Sequence, residues 1–133
     1  MNQTASSIGM TNSSFCNPHG LVNKHNYSTC FDLSHLLRHA YLNHACFLSV
    51  ISTSDYKCNV IKDGVEEEVS WKNTHKCFED VRFVGGKTGV TISAGPCLAS
   101  IFRLGAELKP VVIVILNSKI RFDTSMFCAG TVY

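Results

Sequence analysis

Between residues 29 and 51 the chain alternates apolar and polar positions in the rhythm of a helix. Phe31, Leu33, Leu36, Leu37, Ala40 and Tyr41, with His44 continuing the row, recur every three to four residues, which gathers them on one side of a helix. The start lies near Thr29, and Asp32 places a negative charge in the first turn, where the helix dipole favours it. The row continues, or breaks and resumes, through Phe47, Leu48 and Ile51. The period then changes to two. Tyr56, Cys58 and Val60 alternate with polar residues, Asp63-Gly64 follows, and Val65 and Val69-Ser70-Trp71 come after it, a hairpin pattern. Beyond a loop over 73–80, Val81-Arg82-Phe83-Val84 leads into Gly85-Gly86-Lys87-Thr88-Gly89, and Ser93-Ala94-Gly95-Pro96 marks a turn. Strands are expected over 97–102 and 110–116, joined by a short turn near Gly105. The second is apolar on both faces, as a central strand covered on both sides is. Arg121 to Ala129 reads as a closing helix with Phe122, Ser125, Met126 and Ala129 on one side.

Ahead of the long helix, Met1 to Met10 reads as the end of a helix closing at Gly9, and 11–28 as a surface loop rich in Asn, Ser, Gly and Pro. Helices followed by hairpin-linked strands and a last helix give an α+β chain: an antiparallel sheet packed with helices. Residues 1–53 form its helical and loop part, and 54–133 the sheet and closing helix.

Composition narrows the function classes. The 133 residues are 45% hydrophobic and 17% charged, enough for one domain with a modest core. A net charge of +2 without a basic cluster argues against nucleic acid as a partner. The longest apolar run, Val111 to Leu116, is too short to span a bilayer. The first residues have neither the basic start nor the apolar core of a secretory signal. Seven cysteines form no C-x-x-C pair, so no zinc ribbon or redox motif is expected; most are read as small buried apolar residues. Sequons at Asn2, Asn12 and Asn26 matter only in a eukaryotic secretory protein. His35 and His39 are four apart on the predicted helix, a spacing that can bind metal. His44 is off that face and no carboxylate or cysteine completes a set, so they are read as surface histidines, with no metal and no cofactor expected.

Gly86-Lys87-Thr88 first suggests a phosphate-binding loop. That motif needs a glycine where Val81 stands, so it fails. Lys87-Thr88-Gly89 alone is compatible with a loop carrying a solvated lysine. On a strand at a sheet edge it can do more. The ammonium fixes positive charge in a cleft, the hydroxyl can hydrogen-bond a substrate carboxylate, and the bare glycine lets an extended peptide lie alongside.

The context is wider than the tripeptide. Met1-Asn2-Gln3-Thr4-Ala5, Gly9-Met10-Thr11-Asn12, Phe15, Asn17-Pro18-His19-Gly20-Leu21, Tyr27-Ser28-Thr29 and Asp32 resemble, in order and spacing, the serine-type D-alanyl-D-alanine carboxypeptidases, the low-molecular-weight penicillin-binding proteins. Asn73-Thr74-His75 is similar to that family's Asn-Thr-Asn element. Gly86 to Gly89, Thr91, Ala94-Gly95, Cys97-Leu98 and Arg121-Phe122-Asp123 are similar to its later segments. Pro96 stands where the family has an aromatic residue, and Cys77-Phe78 replaces an aliphatic pair. The resemblance implies the serine β-lactamase and DD-peptidase sheet covered by helices, incomplete at the N-terminus. It implies that Lys87 lines the cleft, Thr88 and Gly89 bind the peptide, Arg121 supports the carboxylate pocket, and the Val90 N–H is one oxyanion donor. His19 and Gly20 fall on a loop near the site, with a structural role for His19. The family trims peptidoglycan stem peptides by acyl transfer at the cell envelope and is acylated by β-lactams.

The family also needs a Ser-x-x-Lys nucleophile and base and a Ser-x-Asn across the cleft. No Ser-x-Asn occurs. Ser54-Asp55-Tyr56-Lys57 has the spacing, but in a strand residues three apart point to opposite faces, and it sits in the wrong place in the family order. No catalytic nucleophile is therefore expected in this chain. Two readings follow: part of a longer carboxypeptidase, or a non-catalytic remnant serving as a binding or structural subunit beside a protein partner.

Overall fold

A computed structural model describes residues 1–132. Helix α1 (Asn2–Ser7) closes at Gly9, whose φ of +85° takes the left-handed region. The loop that follows is fastened in two places. Ser14 and Tyr27 exchange backbone hydrogen bonds. Asp32, fully buried, accepts from the Asn12 N–H at 2.7 Å and the Ser13 hydroxyl at 2.6 Å. Asp32 therefore ties the loop to the first turn of helix α2 (Cys30–Asn43), where Thr29 caps the helix by accepting from the Asp32 N–H at 3.1 Å.

The apolar row does break. His44 leaves helical geometry at φ −131°, ψ 82°, and helix α3 (Ala45–Ile51) begins after it. The change of direction lets Tyr41, Phe47 and Leu48 pack with Leu37 and Ile51 on Ile101. Strands β1 (Asp55–Lys62) and β2 (Val65–Lys72) pair antiparallel around Asp63 (φ 52°) and Gly64 (φ 80°), the two positive φ angles that match a tight hairpin turn to strand twist.

A 3-10 turn (Lys76–Glu79) leads into strand β3 (Phe83–Thr91), followed by β4 (Gly95–Phe102), β5 (Val111–Ile115) and helix α4 (Arg121–Thr131). The three strands form an antiparallel sheet in the order β3-β4-β5, separate from the β1–β2 ribbon. Helices α2 and α3 pack on one face of the sheet, and α4 with the 3-10 turn on the other. The result is an α+β architecture.

Two expectations need correction. The apolar strand β5 is not central; among the described residues it is an edge, and β4 lies in the middle. It is apolar on both sides because α2 and α4 cover its two faces. The cysteines are not mostly buried either. Only Cys77 is; Cys16, Cys30 and Cys46 are exposed, the other three half-buried, and all seven are free thiols. Cys30 and Cys46 stand in the first turns of α2 and α3, outside both core clusters.

Candidate active site: the Lys-Thr-Gly strand and its supports

Strand β3 is an outer strand of the sheet among the described residues, and its pleat sends neighbouring side chains to opposite faces. Gly85-Gly86 is where both faces press against the backbone. A Cβ on Gly85 would stand 2.8 Å from Ile51 Cγ1 of α3, and one on Gly86 2.7 Å from His75 Nε2 on the other side. Only glycine admits both approaches. Register then fixes the rest: Lys87 lies opposite Ala99, Thr88 opposite Leu98, and Gly89 opposite Cys97. Thr88 shares the face of Gly86 and His75, whereas Lys87 shares that of Gly85 and α3.

On the Thr88 face the supports form a connected set. Asn73 is held on three sides: its N–H donates to Ser54 O at 2.7 Å, its amide to Thr53 O at 3.0 Å, and its Oδ1 accepts from the His75 N–H at 3.0 Å. Between them Thr74 points outward, its hydroxyl 3.1 Å from that of Thr88. His75 points inward, 2% exposed, with its ring 4.4 Å from Phe83 and 5.5 Å from Phe122. Its Nδ1 accepts from the Cys77 N–H, and its Nε2 lies 3.4 Å from the Ser100 hydroxyl, which also accepts from Ser125. Burial drives the imidazole down to about 4, opposed by a hydrogen bond with the Ala99 backbone and reinforced by the Arg121 charge, so the ring is neutral at pH 7. Burial also pushes the Cys77 thiol up to about 11, with the Asp80 charge adding to it. Cys77 is therefore a packing group rather than a nucleophile.

Arg121 begins α4 with its guanidinium 4.6 Å from the Phe122 ring centroid and its Nε buried without a partner. Its charge acts on the His75 ring. Thr88 and the helix that Arg121 opens are thus on the same side of the sheet, the side covered by α4 and the 3-10 turn. Lys87 is not gathered with them. It is exposed on the opposite face, and its ammonium turns back to the Thr88 carbonyl. Val90 is 63% exposed near the end of the strand. There a cavity of about 200 Å³ is lined by Gly89, Val90 and Thr91 together with Gly20, Leu21 and Val22. The Asn17–Leu21 loop therefore does reach the strand, and His19 shapes it by accepting from the Leu21 N–H at 3.1 Å.

A larger groove, about 520 Å³, lies elsewhere, between α3 and the ribbon, lined by Val50, Thr53, Tyr56 and Trp71. Volume alone favours it, but its lining is mostly apolar and lacks the convergent charged groups of a reaction site. Ser54 and Lys57 are not brought together for catalysis. The Ser54 carbonyl holds Asn73, while the Lys57 ammonium pairs with Glu68 at 3.3 Å. The His35 ring lies tilted against Phe31, 4.5 Å between centroids, and His39 lies 3.4 Å from the Asn43 amide. Ser100 was not singled out in the sequence, and neither the contact of Thr74 with Thr88 nor that of Ser125 with Ser100 was foreseen there. The doubled glycine at 85–86 is the signal that something packs tightly on each face there.

Comparison with known proteins identifies the fold. A serine-to-alanine variant of the Streptomyces K15 DD-transpeptidase superposes with a TM-score of 0.84 at 28% identity, over 97% of this chain and 52% of that one. The unmodified Streptomyces K15 enzyme gives 0.83 and 28%, over 96% and 49%. A penicillin-binding protein homolog from Mycobacterium tuberculosis, at 21% identity and a TM-score of 0.76 over 97% of this chain and 51% of its own, shares the fold. The chain spans about half the length of these structures. No curated protein matches it. The sequence model of the D-alanyl-D-alanine carboxypeptidases matches residues 1–119, and the chain belongs to that family.

Proposed function

We propose that this chain is the substrate-recognising part of a D-Ala-D-Ala peptidase site and carries no nucleophile of its own. Thr88 binds the terminal carboxylate of a peptidoglycan stem peptide, Gly89 leaves room for the peptide along β3, and Arg121 supplies positive charge behind the pocket. Lys87, on the other face of β3, reaches the cleft only if its side chain swings round the strand edge. The Val90 N–H is the oxyanion donor available here. The observation that carries this reading is Thr88 on an outer strand, its hydroxyl joined to a second hydroxyl rather than sealed in the core. The engagement of Lys57 with Glu68 supports the absence of a local base. An acylating serine is then supplied from outside these 133 residues, as expected of part of a longer carboxypeptidase. Titration with a diacetyl-lysyl-D-Ala-D-Ala peptide tests the recognition: Thr88→Val weakens binding about tenfold, the size of a lost hydrogen bond to a charged group. Binding unchanged by that substitution contradicts the assignment.

A second reading, a binding or structural subunit beside a protein partner, is favoured by the ribbon. Tyr56, Ile61, Val65 and Trp71 are 57%, 80%, 60% and 51% exposed there, and a two-stranded ribbon gains little stability by itself. Sedimentation of the purified chain separates the two. A compact, cooperatively unfolding monomer removes the motive for a partner.

A further inference from the structure

We infer that Thr74 is the positioning residue of the carboxylate site: its hydroxyl orients that of Thr88 toward the substrate. The inference rests on the assignment of Thr88 proposed above. Each hydroxyl has one proton and two lone pairs. When the Thr88 proton is given to a carboxylate, its oxygen can still accept, and its one side-chain partner among the described residues is Thr74 Oγ1 at 3.1 Å. Thr74 therefore donates to Thr88 Oγ1, which leaves the Thr88 proton pointing away from Thr74 and makes it a better donor through the coupled bond.

What distinguishes this contact from a chance meeting of two surface hydroxyls is the framework around Thr74. Its preceding residue is fastened by three hydrogen bonds, to Ser54 O, Thr53 O and the His75 N–H. Its following residue is buried against Gly86, two positions before Thr88 on the same face. Thr74 is exposed and contributes nothing to the core, so its side chain is free to act on ligand orientation. The 3-10 turn over Lys76–Glu79, capped by the His75 ring that accepts from the Cys77 N–H, packs on β3.

Two probes and three forms of the full chain test this. Binding of diacetyl-lysyl-D-Ala-D-Ala is compared with binding of its C-terminal amide, for wild type, Thr74→Val and Thr74→Ser, with thermal unfolding of each. Wild type prefers the carboxylate; Thr74→Val loses about tenfold of that preference with an unchanged melting temperature, and Thr74→Ser keeps it. Retention of the full preference in Thr74→Val, or its loss in Thr74→Ser, overturns the inference while leaving the Thr88 site standing. A wild-type chain that binds acid and amide alike overturns both.

Discussion

Gly86 and His75 show how single atoms set the site. An added methyl on Gly86 meets the His75 ring and the neighbouring strand's backbone, and neither can move without disturbing the sheet. Gly86→Ala is expected to cost about 2 kcal/mol or more in urea unfolding; a change within a few tenths contradicts the close packing. His75 makes stability depend on pH. Its folded value of about 4 lies below the ordinary 6.5, so the contribution of the neutral ring is complete above pH 6.5 and is lost as pH falls toward 4, about 3 kcal/mol in all. His75→Asn should be less stable at pH 7 but flat across that window. An equally steep acid slope in the variant would assign the acid sensitivity to another group. None of this inward–outward sorting was legible beforehand. Asn73-Thr74-His75 has no periodicity, and which of its side chains turns inward is decided by the 3-10 turn that follows.

At the scale of elements, the first turn of α2 is the junction between loop and helix. Thr29→Ala removes a cap and should cost about 1 kcal/mol. Asp32→Ala leaves the Asn12 N–H and Ser13 hydroxyl without their acceptor and should cost more, about 2–3 kcal/mol, with faster proteolysis in the 11–28 loop. Equal costs for the two would contradict the anchoring role of Asp32. This helix was legible because its apolar row faces one core. That its row could break and resume was also legible, but not that the break falls at His44, since histidine carries no helix-stopping chemistry and the bend serves the packing of Phe47 and Leu48. Strand β5 teaches the converse lesson. Its apolar residues report that helices cover both faces, and hydrophobicity says nothing about its place in the hydrogen-bonding order. The β1–β2 hairpin was legible because Asp63-Gly64 accepts two positive φ angles.

Across the whole molecule, the three-stranded sheet with helices on both faces presents β3 along one side, and residues far apart in sequence converge there. Gly20 and Leu21 meet Val90 at one end, while Thr74 meets Thr88 in the middle. The family was legible because its elements keep their order and spacing over most of the chain. The division of Lys87 and Thr88 between opposite faces was implicit in strand pleating, but it needed the register to become definite. The most direct test uses a fluorescent penicillin read twice, by polarisation in native solution and by denaturing electrophoresis. Recognition without a nucleophile predicts a native binding signal, weakened in Thr88→Val, that leaves no covalent band on the gel. A covalent band abolished by Ser54→Ala would show that this chain acylates itself, and would contradict that claim.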